Sequence, residues 1–155
     1  MKTLIFTKGP HFLEADELAS RLKNAGCKIL DNELFFLTED QCAEHYANIV
    51  GESFYKDVWR MFETYPIHAF RVECSSIEDV LKVVGKSTNP RLCNKGSFRF
   101  DFGVDKTDNA SHRSKNKTDA RKEDKLFWGR RGFVARFRED PRNRMRVLER
   151  ICALL

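Results

Sequence analysis

The order of secondary-structure signals restricts the fold of this chain more than any other feature of its sequence. Apolar or alternating runs, which are typical of strands, occupy Thr3 to Thr7, Lys28 to Phe36, Ile67 to Glu73 and Ser97 to Val104. Segments in which apolar residues recur at helical spacing separate these runs. The order predicts an α+β fold, a split βαβ arrangement with an antiparallel sheet and helices on one side of it.

Side chains that can cap helices mark most of the predicted helix ends. Ser53 is a candidate N-cap, and two pairs, Thr38 with Gln41 and Ser75 with Glu78, form capping boxes. The region around His112 is predicted to be rich in turns. The predicted helices are Ala15 to Gly26, Thr38 to Tyr46, Ser53 to Tyr65, Ser75 to Gly85, Asp119 to Trp128, and a terminal helix that includes Met145 to Leu155.

Length and composition indicate one compact domain. The 155 residues include 41% hydrophobic residues, among them 13 phenylalanines, which is enough to fill a core. We expect residues 1–128 to form the domain and the basic residues 129–155 to form an extension that packs on it. The opening apolar run ends at Lys8, and no later stretch is long enough for a bilayer, so we expect a cytoplasmic protein with no membrane contact.

Cysteine content and charge restrict the possible partners. The five cysteines include no C-x-x-C pair, so we predict reduced structural thiols and no zinc site. The net charge of +5 lies mostly beyond residue 112 and indicates anionic partners such as nucleotides. Nucleic acid could bind the basic C-terminal segment, but this is not favoured, because a solvated basic surface is the better explanation for most of these side chains.

His112, followed eleven positions later by Glu123, is the best candidate for chemistry. A carboxylate on one ring nitrogen selects the imidazole tautomer, fixes the ring plane and stabilises developing positive charge. The other nitrogen can then accept and donate a phosphoryl group. The alternative to a catalytic role is that His112 is a solvated histidine in a lysine-rich stretch.

From end to end, the chain resembles the nucleoside diphosphate kinases. The motifs that carry the resemblance fall in the same order and at fixed separations. They are Lys8, Glu44-His45-Tyr46, Phe54, Thr88-Asn89-Pro90, Gly96 to Phe102, Asn109-x-x-His112-x-Ser114, and Glu123 with Leu126. The resemblance implies a ferredoxin-like fold with a four-stranded antiparallel sheet, and transfer of the γ-phosphoryl group of a nucleoside triphosphate to a nucleoside diphosphate through a phosphohistidine at His112.

The resemblance also implies roles for other residues. Mg²⁺ would be held mainly by the nucleotide phosphates, with no direct metal ligand from the protein, and the assembly would be a homo-oligomer, a hexamer as in the family. Ser114 could bond Glu123 or cap a turn. The implied catalytic residues are His112, Glu123, Lys8, Tyr46 and Ser114, and the implied nucleotide-binding residues are Lys8, Phe54, Lys82, Thr88, Arg99 and Asn109.

Several positions depart from the family pattern near the predicted site. Lys82 stands where the family usually has an arginine, and Arg113 and Lys115 replace a glycine and an aspartate. We expect strain at Arg113 and altered handling of Mg²⁺. The loop Cys93 to Gly96 lacks a proline that family members place at subunit contacts. A nucleotide-binding module with weakened catalysis is therefore the alternative to an active kinase.

Overall fold

A computed structural model describes all 155 residues and shows helices on both faces of one sheet. The strands are β1 (Lys2–Thr7), β2 (Lys28–Phe35), β3 (Ile67–Glu73) and β4 (Ser111–Arg113). The helices are α1 (Ala15–Asn24), α2 (Glu39–His45), α3 (Tyr55–Thr64), α4 (Ile77–Val84), α5 (Phe98–Phe102), α6 (Lys117–Trp128), α7 (Phe133–Glu139) and α8 (Arg142–Leu154), with 3₁₀ turns at Gly9–Glu14 and Pro90–Leu92.

The sheet has the strand order β2-β3-β1-β4, and every neighbouring pair is antiparallel. This order is that of a ferredoxin-like α+β fold and confirms the predicted fold class. β1 is central, while β4 is a short edge strand that pairs only with β1. Residues of β4 can therefore reach an opening at the edge of the sheet.

Both faces of the sheet are covered because successive residues of β1 point to opposite sides. Ile5 packs with Leu18 of α1 and Val80 of α4 in one cluster. Phe6 packs on the other face, in a second cluster that includes Phe62 of α3 and residues of α6 and α7. The prediction that helices cover only one side was wrong, since β1 is buried on both faces.

The predicted boundaries hold best where local signals agree. β3 and α1 begin and end close to the predicted residues, and the Thr38 capping box is present. The other capping box lies one residue later than predicted, at Ser76 with Asp79. The cap predicted at Ser53 is wrong, because α3 begins after Phe54 without a side-chain cap.

The prediction of a strand from Ser97 to Val104 was also wrong. Ser97 accepts a hydrogen bond from the backbone N–H of Phe100, which opens a helix instead. Phe98 and Phe102 then lie on one helical face with ring centroids 4.8 Å apart. The fourth strand is β4, which contains His112, where turns were expected.

A disulfide between Cys27 and Cys74 corrects the prediction of reduced thiols at these two positions. Cys27 precedes β2 and Cys74 follows β3, and the register pairs the adjacent residues Lys28 and Glu73. Strand pairing thus brings the two Cα atoms to 4.5 Å. Cys42, Cys93 and Cys152 are free thiols.

The C-terminal residues pack against the same sheet. Phe133 and Val134 of α7 are buried in the second core cluster. Arg138 donates hydrogen bonds to Asp31 and to buried Glu33 of β2. These bonds tie the end of α7 to the sheet. No helix in the structure has the length and apolarity needed to cross a membrane.

Candidate active site

A cavity of about 790 Å³ opens at the edge of the sheet beside β4. It brings together most of the residues predicted for the site. Ser114 is buried and bonded to Glu123, while Lys82 is exposed on α4 and does not line the cavity. The predicted residues that line it are Lys8, Tyr46, Phe54, Thr88, Arg99, Asn109, His112 and Glu123.

The position of His112 follows from the pairing of β4 with β1. His112 lies opposite Phe6, and the two rings stack with centroids 4.6 Å apart. Ala110, just before β4, has a φ of 68° and accepts a hydrogen bond from the backbone N–H of Lys8. Positive φ is costly for alanine, so this turn must be held by the surrounding contacts. It fixes where the edge strand begins.

Glu123 of α6 holds the His112 ring. The His112 Nε2 lies 2.9 Å from Glu123 Oε2, and the Ser114 hydroxyl donates to the same oxygen at 2.7 Å. Burial raises the pKa of Glu123, but His112 and Ser114 outweigh it and hold that pKa below its ordinary value. Because the ionised carboxylate only accepts, Nε2 carries the ring proton and Nδ1 has a free lone pair. The bond to Ser114 is one of the two roles that the sequence left open.

Burial also keeps His112 neutral. It lowers the pKa of His112, and the nearby charges of Lys8 and Arg99 lower it further, against the opposing effect of Glu123. A neutral ring with Nε2 protonated is the form that can act as a nucleophile through Nδ1. No residue of the chain is hydrogen-bonded to that nitrogen.

His45 completes the surroundings of the ring and was not among the predicted site residues. Its ring meets that of His112 edge to face, with centroids 4.7 Å apart. Burial lowers the pKa of His45 to about 3, with a further contribution from His112. His45 is therefore an uncharged residue of the cavity lining. Its place in the Glu44-His45-Tyr46 triplet was the available signal for it.

Cations occupy the cavity beside the imidazole. Lys8 Nζ donates to Asn109 Oδ1 at 3.2 Å, and burial, followed by the charge of Arg99, lowers the pKa of Lys8 to about 8. Arg99 is buried and donates to the backbone carbonyls of Ser111 and Ser87. Burial, followed by the charge of Arg113, lowers the pKa of Arg99 to about 10. Both groups stay cationic near neutral pH and face each other's charge.

Arg113 and Lys115, two of the departures from the family pattern, also line the cavity. Arg113 lies in β4 with strand geometry, so the strain expected at this position is absent, and the positive φ occurs at Ala110 instead. The Arg113 guanidinium donates to the carbonyls of Gly85, Lys86 and Ser114. Its side chain thus lies along the segment that leads to Thr88.

Other groups in the cavity are available to a ligand. Phe54 is 48% exposed at the start of α3 and offers an open ring face. Tyr46 and Ser111 line the cavity, and their hydroxyls are buried without a hydrogen-bond partner. Burial raises the pKa of Tyr46, so its hydroxyl keeps its proton. Unsatisfied buried hydroxyls are costly, and a polar ligand would satisfy them.

The cavity offers little to a protein-bound divalent metal. Its carboxylates are Asp119 and Glu123, and Glu123 already holds His112 and Ser114. His45, His112 and Glu123 have donor atoms within 4.8 Å of one another, but two of the three are imidazoles. Mg²⁺ prefers oxygen ligands, so these residues do not form a resident magnesium site.

Comparisons with known proteins agree with this geometry. The family model described as nucleoside diphosphate kinase matches residues 2–133. The nucleoside diphosphate kinase of Thermobifida fusca is 30% identical over 112 residues, which cover 72% of this chain and 83% of the relative. That of Rubrobacter xylanophilus is 28% identical over 130 residues, covering 83% of this chain and 98% of the relative.

A solved structure agrees at the level of the fold. The crystal structure of the nucleoside diphosphate kinase from Encephalitozoon cuniculi superposes with a TM-score of 0.76 at 21% identity, covering 83% of this chain and 88% of that chain. The match of the family model spans β1 to the start of α7 and includes the cavity residues. This chain belongs to the nucleoside diphosphate kinase family.

Proposed function

We propose that this protein is an active nucleoside diphosphate kinase that works by a ping-pong mechanism through a phosphohistidine at His112. The observation that supports it most is the His112–Glu123 pair, in which Nε2 is bonded to a carboxylate and Nδ1 is free in a cationic cavity. A module that only binds nucleotides has no need of an oriented nucleophile. The paired Glu123 and Ser114 therefore favour the kinase over the binding module.

In the first half-reaction, Nδ1 of His112 attacks the γ-phosphorus of a nucleoside triphosphate. The N–P bond forms as the bond between the γ-phosphorus and the bridging oxygen breaks, and the nucleoside diphosphate leaves with the bond's electron pair. Glu123 stabilises the positive charge that develops on the ring. In the second half-reaction, a terminal oxygen of another nucleoside diphosphate attacks the phosphorus, and the N–P bond returns its electrons to Nδ1.

Phosphoryl transfer needs alignment and charge stabilisation more than covalent assistance, and the cavity supplies both. In the proposal, Lys8 and Arg99 neutralise the phosphates, and the free hydroxyl of Tyr46 donates to the transferring group. Thr88 and Asn109 bond phosphate and sugar oxygens. Phe54 stacks on the base, and stacking without contacts to base edges accepts purines and pyrimidines alike.

Mg²⁺ enters this proposal as part of the substrate. The cavity lacks a set of free carboxylates, so the ion would be coordinated by the nucleotide phosphates and arrive with them. The homo-oligomer and the cytoplasmic location implied at the sequence level stay predictions. Light scattering of the purified protein would give its oligomeric state.

Label transfer tests the proposal. The protein is incubated with γ-labelled ATP and Mg²⁺ and then chased with GDP. We expect acid-labile label on the wild-type protein, its transfer to GTP, and none on the His112→Ala variant. Undiminished labelling of that variant, or none on the wild type, would contradict the proposal. The exposed residue Lys95 provides a control, since Lys95→Gln should label like the wild type.

A further inference from the structure

Two guanidinium groups of the cavity lining, those of Arg99 and Arg113, donate to the same backbone carbonyl. The Gly85 carbonyl accepts from Arg113 Nε at 3.1 Å and from Arg99 Nη1 at 3.5 Å. Arg113 also donates to Lys86 O at 2.8 Å, while Arg99 donates to Ser87 O at 2.9 Å. The segment 85–87 is therefore held by two side chains that carry the same charge.

Neither guanidinium has an anionic partner in the chain. Every hydrogen bond of Arg99 and Arg113 goes to a backbone carbonyl, and no carboxylate forms an ion pair with either group. A guanidinium has five N–H donors, and three hydrogen bonds from Arg113 leave some of its donors free. Two partly buried like charges without a counterion repel each other, and a bound anion would relieve that repulsion.

The whole cavity lining also carries more positive than negative groups. Its carboxylates are Asp119 and Glu123, and Glu123 is already occupied by His112 and Ser114. Lys82, the position at which the resemblance places a phosphate contact, lies outside the lining. The cationic groups that line the cavity are Lys8, Arg99, Lys106, Arg113 and Lys115.

We propose that Arg113 is a phosphate-binding residue, which forms with Arg99 a guanidinium pair that binds nucleotide phosphates directly and lets nucleoside diphosphates bind without Mg²⁺. This inference rests on the proposed function, because it assigns a substrate contact within the same cavity. Arginine matches phosphate oxygens with charge-assisted hydrogen bonds, which are stronger than neutral ones. A diphosphate without its metal carries more negative charge, so the uncompensated guanidiniums favour that form.

A purely structural role is the competing explanation, because Arg113 also braces the segment 85–86. That role would lower thermal stability when Arg113 is replaced, and any loss of ADP affinity that follows from a shift of Thr88 would be equal in Mg²⁺ and in EDTA. Arg113→Gly restores the glycine of the family pattern. Arg113→Lys keeps the charge but loses the planar fork.

Calorimetric titration of the full-length protein with ADP, in Mg²⁺ or in EDTA, separates the two roles. We expect the wild-type Kd in EDTA to lie within about threefold of that in Mg²⁺. Arg113→Gly should bind ADP about tenfold or more weakly in EDTA, with a smaller loss in Mg²⁺, where the ion shares the phosphate charge. Arg113→Lys should fall between the two. Lys95→Gln, which removes an exposed charge outside the cavity, should match the wild type in both buffers.

Two results would overturn the inference. One is an Arg113→Gly variant whose ADP affinity is unchanged, or falls by the same factor in EDTA and in Mg²⁺, with at most a lower Tm. The other is loss of ADP binding by the wild type when Mg²⁺ is removed. Failure of the proposed kinase looks different, because ADP binding would then persist, also in His112→Ala, while His112 acquires no phosphoryl label.

Discussion

The two sides of β4 differ in how completely their polar groups are paired. On the side of Phe6, the His112 ring is stacked, flanked by His45 and bonded to Glu123, which is itself bonded to Ser114. On the side of Gly85, the charges of Arg99 and Arg113 lack any counterion. Adjacent residues of one edge strand thus belong to two unlike environments.

This difference separates two tasks. In the proposed reaction, His112 needs one tautomer and one orientation before substrate arrives, so its partners come from the protein. The proposed phosphate-binding side must attract and then release a polyanion, so its charges stay uncompensated until a ligand binds. An enzyme that catalyses through electrostatics benefits from charges that are already in place when the substrate enters.

Of the changes considered, removing the charge of Glu123 should have the largest effect on phosphorylation of His112. In Glu123→Gln, the amide can stabilise either tautomer of His112 and does not stabilise a positive ring, so we expect the phosphorylation rate to fall about 100-fold or more. Rapid-quench measurement with γ-labelled ATP gives that rate. Glu149→Gln, an exposed change on α8, is the matched control. A less than threefold loss in Glu123→Gln would show that His112 is oriented without its carboxylate.

The pH dependence of kcat/KM should report the ionisation of both His112 and Lys8. His112 has a lowered pKa, so its neutral form and kcat/KM persist at pH 6.5 and fall only at lower pH. Lys8 has a pKa of about 8, so its charge disappears as pH rises through that value, and kcat/KM should then fall about tenfold per pH unit.

Lys8→Arg should remove the alkaline limb, because arginine keeps its charge in this range. Lys95→Arg, made outside the cavity, should keep both limbs. An alkaline limb that is unchanged in Lys8→Arg would assign that ionisation to another group.

Replacing Ser114 should have a smaller effect than the changes at Glu123 and Lys8. Ser114→Ala removes the hydrogen bond to Glu123 but leaves the contact between Glu123 and His112, so we expect the phosphorylation rate to fall about fivefold. Nucleotide affinity should not change, since Ser114 lies outside the cavity lining. A fall in ADP affinity with an unchanged phosphorylation rate would contradict the division of labour between the two sides.

Local signals predicted the parts of the fold that local interactions determine. β3 runs from Ile67 to Glu73 as its apolar pattern indicates, and Thr38 with Gln41 forms the predicted capping box. The alternating phenylalanines from Phe98 to Phe102 fit a strand as well as a helix. The helix forms because Ser97 caps its first turn. β4, with three residues, exists through its pairing with β1, which no local pattern reveals.

The candidate site was predictable where the family resemblance applied and less so where this chain departs from it. His112 and Glu123 meet as expected. The cavity excludes Lys82 and includes Arg113, although the sequence identified Arg113 only as a bulky substitution. Which side chain reaches the cavity depends on strand register and on the path of segment 85–88. The Cys27–Cys74 disulfide depends on register in the same way.

The central claim is that Nδ1 of His112 carries the phosphoryl group while Glu123 holds Nε2. Phosphorus NMR of the protein after reaction with ATP distinguishes the two ring positions, with His112→Ala as the blank. We expect a single phosphohistidine signal, from Nδ1, that disappears when a nucleoside diphosphate is added. A phosphoryl group on Nε2, or one that survives in His112→Ala, would contradict it.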